Sequence, residues 1–94
     1  MDLGSTIKKL RLQKGVRQKD LAENANITQA YLSKIENNQK EPTIHALKTI
    51  AEKLEIPLPV MFFHALTPED VDAKKREAFQ MILPSIQSMI ESFF

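Results

Sequence analysis

The chain contains no cysteine among its 94 residues. That excludes disulfides and thiolate metal sites, so stability has to come from packing. No apolar stretch approaches the roughly 20 residues that span a bilayer. The first fifteen residues are polar and basic, without the apolar segment of a secretory signal, and a cytoplasmic location is expected. There is no internal repeat and no alternating pattern that reads as a strand. Histidine occurs only as His45 and His64. Neither has a cysteine, histidine or carboxylate nearby in sequence at ligand spacing, so no metal or other cofactor is expected. No nucleophile is placed with a base and an orienting group, so the chain does not read as an enzyme.

Charge of one sign is also scarce, at a net +1, but it is unevenly spread. Residues 1–56 carry ten Lys/Arg against seven Asp/Glu, and residues 57–94 carry three against five, giving +3 and −2. The balance favours an anion-binding front half, although a fluctuation of this size also arises by chance. A chain this short forms one small domain, and association often supplements its limited core.

What is present is helical periodicity. A first helix near Ser5–Lys14 carries Ile7 and Leu10 on one face, with Gly15 as a left-handed cap. A second near Gln18–Ala25 buries Leu21 and Ala22. Asn26 tolerates a positive φ, Ile27 is an apolar turn residue, and Thr28 is a good N-cap for a third helix near Gln29–Asn37. Leu32 and Ile35 of that helix point inward. A polar loop, Asn37–Pro42, leads to a fourth helix near Ile44–Leu54, with Ile44, Leu47, Ile50, Ala51 and Leu54 at 3.6-residue spacing. A short fifth helix near Pro59–Phe63 brings Met61 and Phe62 to the core.

Eleven residues separate Gln18 from Gln29, and the stretch between reads as helix, tight turn and helix. In a helix-turn-helix the second helix of the motif enters the DNA major groove. Gln29, Ala30, Ser33, Lys34 and Asn37 share the face opposite Leu32 and Ile35. Gln pairs with adenine, Lys donates to guanine, Ser reads either, and an Ala methyl meets that of thymine. A polar helix face that is merely solvated is the competing explanation. Gln18 opens the second helix, where unpaired N–H groups and the helix dipole favour phosphate.

In register, Ile7-Lys-Lys-Leu-Arg11, Gln18-Lys-Asp-Leu-Ala22, Ile27 to Glu36, Pro42-Thr-Ile44 and Leu47 to Leu54 resemble the lambda-repressor/Cro-like (XRE-type) DNA-binding family over residues 4–63. The resemblance implies an all-α, five-helix domain in which Gln18 contacts phosphate and supports Gln29. It also implies that Lys19, Thr28, Tyr31, Asn38, Lys40 and Thr43 border the backbone of the DNA, and that Arg11 and Glu36 form a structural salt bridge. Arg17 departs from the pattern, since Thr or Ser usually caps the second helix there. A cation at this position can face phosphate instead.

Residues 64–67 read as a linker and 68–94 as a helical oligomerisation segment. Thr67-Pro-Glu-Asp70 is a helix start, and Pro84 predicts a kink or break followed by another helix ending at Phe94. Val71, Ala78, Phe79, Ile82, Ile86, Met89, Ile90 and Phe93 are the candidate dimer contacts. A homodimer, or a higher oligomer, would set two reading helices about 34 Å apart on palindromic double-stranded DNA. The expected role is a transcriptional regulator, with repression foremost. An antitoxin or restriction–modification controller of the same fold, or a protein-interaction module, are the alternatives. A toxin or anti-repressor protein is a conceivable partner; a membrane is not, because the tail is acidic.

Overall fold

The computed structural model describes residues 1–93 and is helical throughout, with α1 Leu3–Gln13, α2 Gln18–Asn24, α3 Gln29–Glu36, α4 Ile44–Lys53, α5 Leu58–Ala65 and α6 Arg76–Glu91. Two turns of 3-10 helix, Pro68–Asp70 and Ala73–Lys75, join α5 to α6. Phe94, read from the sequence as the end of the last helix, lies outside the described residues.

Local chemistry sets the helix boundaries. Asp2 caps α1 through Oδ1, which accepts from the Ser5 amide at 3.1 Å, so the helix starts earlier than the periodicity predicts. Thr28 and Thr43 cap α3 and α4, their hydroxyls accepting from the amides of Tyr31 and Ala46, each at 3.0 Å. The first four helices all end on a left-handed residue: Gly15 at φ 71°, Asn26 at 58°, Asn38 at 57° and Glu55 at 57°. In each case the next amide reaches back to a carbonyl in the last turn: Val16 to Arg11, Ile27 to Ala22, Gln39 to Lys34 and Ile56 to Ala51. These bonds satisfy carbonyls that a helix end would otherwise leave open.

Ile7, Leu21, Leu32, Ile35, Ile50, Leu54 and Met61 form the fully buried centre, each contributing about 1.5–3 kcal/mol relative to exposure. α1 packs against α3 and α5, and α2 against α3 and α4. The outer face of α3 is left open. α5 continues to Ala65, two residues into the stretch read as linker.

The tail departs from expectation in two respects. The helix predicted from Pro68 is divided. Thr67 and Asp70 do form a capping box, but Asp72 accepts from the Lys74 amide at 3.2 Å and starts a second turn, with Val71 extended between them. Two N-caps five residues apart compete for one helix. The Arg76 guanidinium fixes the division by donating to the Pro68 and Val71 carbonyls at 2.9 and 3.2 Å. Of the kink or break predicted at Pro84, the break does not occur, because α6 runs through it. Pro84 and Gln80 are both exposed, so water can satisfy the Gln80 carbonyl that lacks its usual N–H donor.

α6 has two apolar faces. Phe79, Leu83, Ile86 and Ile90 are half-buried within the chain. Met81, Ile82 and Met89 are exposed to 74%, 53% and 60%, and Phe93 beyond the helix to 78%. Glu91 shares the rim of a groove with Leu10, Lys14, Ile56, Val60 and His64, so the end of α6 folds back beside α1 and α5. No helix among the described residues is long and apolar enough to cross a membrane.

Candidate nucleic-acid interface

The exposed face of α3 presents Gln29, Ala30, Lys34 and Asn37, with Ser33 half-buried among them. Asn37 Nδ2 donates to Ser33 Oγ at 3.4 Å. Leu32 and Ile35, on the opposite side, are 0% and 1% exposed. The burial of these two residues determines which residues of α3 point outward.

Arg11 and Glu36 make a buried bidentate pair, Nε to Oε2 at 2.8 Å and Nη2 to Oε1 at 3.0 Å. Arg11 Nη1 also donates to the Val16 carbonyl at 2.9 Å. The pair ties the last turn of α1 to the last turn of α3, and truncating one partner alone costs about 3–5 kcal/mol because it strands the other charge. It also neutralises the one acid on α3, which would otherwise oppose phosphate.

A second link extends outward from this pair. Gln18 Nε2 donates to Glu36 Oε1 at 3.2 Å, and Gln29 Nε2 donates to Gln18 Oε1 at 3.3 Å. Arg11, Glu36, Gln18 and Gln29 therefore form one continuous chain of hydrogen bonds from the core to the first exposed residue of α3. The bond between the two glutamines connects the first residues of α2 and α3.

Around this face, Arg17 occupies the N-cap of α2 without capping it through its side chain. Its guanidinium is 82% exposed and meets Asp20 Oδ2 at 2.9 Å. Lys19 is exposed beside it. Tyr31 is half-buried, with Lys40 Nζ 5.5 Å from its ring centroid. The hydroxyls of Thr28 and Thr43 are engaged as caps, which leaves each able to donate outward.

Asn38 makes structural bonds that the sequence reading did not include. Its Oδ1 accepts from the Gly4 amide at 3.2 Å and its Nδ2 donates to Asp2 Oδ1 at 2.9 Å. Its side chain thus clamps the start of α1 to the end of α3, while the residue itself stays exposed. The bond from Asn38 Nδ2, and after it the bond from the Ser5 amide, hold the Asp2 carboxyl below the usual aspartate range.

Two features were missed by the sequence reading. Gly4 is buried in α1, with the Ile35 carbonyl and Asn38 Oδ1 where a Cβ would stand. A glycine inside a helix is costly and usually marks close approach, which was the available signal. The Gln18–Glu36 bond spans eighteen residues and no local pattern announces it. His45 is exposed and His64 half-buried. Among the described residues no group of three or more His, Cys, Asp or Glu is placed to hold a metal.

Comparison with known proteins agrees with this geometry. A helix-turn-helix family model matches residues 7–61. The HTH-type transcriptional regulator YqaF of Bacillus subtilis is 39% identical over 56 residues, covering 60% of this chain and 74% of that protein. The restriction–modification controller protein C.Esp1396I superposes with a TM-score of 0.61 at 41% identity, covering 65% of this chain and 80% of that one. The clp gene regulator ClgR of Corynebacterium glutamicum gives a TM-score of 0.70 over 92% of both chains, at 23% identity, a likeness of fold alone. The match spans about half the length of several other regulators. On the match to residues 7–61, with an open α3 face above a buried Arg11–Glu36 pair, the chain belongs to the XRE-type helix-turn-helix family of non-enzymatic DNA-binding transcriptional regulators.

Proposed function

We propose that the protein binds a palindromic operator as a dimer, with α3 of each copy in the major groove, and acts chiefly as a repressor by covering promoter DNA. The observation that carries this reading is the chain of hydrogen bonds fixing Gln29, at the start of an exposed polar helix face, to the buried Arg11–Glu36 pair. A side chain held in place before binding loses less entropy on contact. Gln29, Ala30, Ser33, Lys34 and Asn37 read base edges. Arg17, Gln18, Lys19, Thr28, Tyr31, Lys40 and Thr43 contact the backbone, which sets register without carrying sequence information. Asn38 acts mainly by holding α1 against α3. The dimer uses the exposed face of α6, where Ala78, Ile82 and Met89 lie, together with Phe93 just beyond the helix; Phe79, Ile86 and Ile90 support that face from the half-buried side. Val71, half-buried in the turn before α6, is peripheral to it.

A second reading, a controller of a restriction–modification system, is favoured by the 41% identity to C.Esp1396I. It shares the interface and differs in the gene controlled.

Titrating the protein against duplex DNA at several salt concentrations tests the common core of both readings. A protein neutralising several phosphates shows log affinity falling with log salt at about −0.9 per contact. A flat response would remove DNA binding from the account. Selection from a random duplex pool then reports whether the preferred site is palindromic.

A further inference from the structure

We infer that Glu36, a buried residue that does not reach the DNA, sets which base Gln29 prefers by fixing the polarity of two glutamine amides. The inference rests on the DNA-reading role proposed for α3.

A carboxylate only accepts hydrogen bonds. Both Glu36 oxygens are engaged, Oε2 by Arg11 and Oε1 by Arg11 and Gln18. Gln18 must therefore turn its NH2 inward, which turns its Oε1 toward Gln29. Facing an acceptor, Gln29 must in turn donate, and one of its two N–H groups is committed to Gln18 at 3.3 Å. What remains on Gln29 is one N–H and the carbonyl oxygen: one donor and one acceptor.

Adenine offers the matching pair in the major groove, N7 as acceptor and the N6 amine as donor. Guanine offers two acceptors, N7 and O6. An untethered glutamine could turn its whole NH2 group to guanine and donate twice. Tethered through Gln18, Gln29 can donate once to guanine but makes both bonds to adenine. Glu36 is thus a positioning residue for base choice, separate from its role in holding α1 to α3.

The test uses the full 94-residue chain. A duplex is selected from a random pool with the wild-type protein, and each adenine in it is replaced by guanine in turn. The position read by Gln29 is the one whose preference disappears in Gln29→Ala. At that position the wild type is expected to prefer adenine by roughly five- to a hundredfold. Gln18→Met removes the acceptor at a half-buried site, and its preference there should fall to about twofold or less while preferences elsewhere persist. Gln18→Glu keeps an acceptor toward Gln29 but cannot donate to Glu36. It should bind every duplex more weakly and keep the adenine preference. Glu36→Gln, if it folds, should lose the preference as Gln18→Met does. A Gln18→Met variant that weakens all duplexes equally, with the adenine preference intact, would overturn the inference. A wild type that binds no DNA overturns the proposed function, and is seen before any variant is made.

Discussion

Gly4 of α1 lies against the backbone carbonyl of Ile35 in α3, with no room between them for a Cβ. The contact lets α1 and α3 approach at backbone distance just where Asn38 bridges them. Gly4→Ala would push that carbonyl and the Asn38 amide away. Overpacking of this kind costs about 1–3 kcal/mol, against a helix-propensity gain of up to about 1 kcal/mol. For a net loss of about 1 kcal/mol, the expected outcome is a melting temperature lowered by about 4–8 °C, the shift that such a loss produces in a domain of this size. Heat denaturation by circular dichroism measures it. An unchanged or raised melting temperature would show that the contact relaxes freely.

Arg17 stands at an N-cap and does not cap. Arg17→Thr supplies a hydroxyl for the open amides of α2, worth about 0.5–2 kcal/mol. The ion pair with Asp20 that it removes is exposed and worth about 0–1 kcal/mol. The free protein should therefore become more stable while DNA binding weakens, with the salt slope shallower by about 1. Stability and affinity rising together would refute the trade.

Much of this was legible in the sequence because it is local. Thr28 and Thr43 announce their helices by side-chain chemistry alone, and Asn26 and Gly15 mark left-handed positions by residue type. The inward set on α3, Leu32 and Ile35, follows from helical spacing. Where local signals compete, the sequence is ambiguous. Thr67 and Asp72 are both good caps, and only the Arg76 bonds to Pro68 and Val71 show that both are used. Pro84 is a strong local breaker, but its cost depends on whether the Gln80 carbonyl meets water, which is a property of exposure. Gly4 against Ile35, Asn38 against Asp2 and Gln18 against Glu36 join residues that are far apart in sequence. No periodicity encodes such pairings.

Asp2 gives the fold an acid-sensitive clamp. Its carboxyl is held below the usual range by the Asn38 and Ser5 donors, so the folded state binds its proton less readily than the unfolded one. The resulting stability is fully present above the ordinary aspartate value and is lost as pH falls from about 5 through the lowered folded value. The comparison that isolates it is wild type against Asp2→Asn in urea denaturation. The wild-type advantage should hold at pH 6–7 and shrink steadily toward pH 3. An advantage that does not change with pH would exclude Asp2 as the titrating group.

The exposed face of α6 bears on whether one α3 or two meet the DNA. Met89 is 60% exposed and Ile82 is 53% exposed in the single chain. A charge placed there costs little unless another molecule covers it. Met89→Glu should thus leave the melting of a monomer nearly unchanged. If two α6 faces pair about a two-fold axis, each dimer buries two new carboxylates across the interface and the dimer dissociates. Sedimentation equilibrium should then report a mass near one chain where the wild type reports two. Affinity for a two-half-site duplex should fall by about a hundredfold or more as the linked second contact is lost. Affinity for a single half-site should not change. If instead the wild type already sediments as one chain, or Met89→Glu leaves the mass of two unchanged, the dimer does not form through this face. Residues 76–93 then serve the domain they fold against.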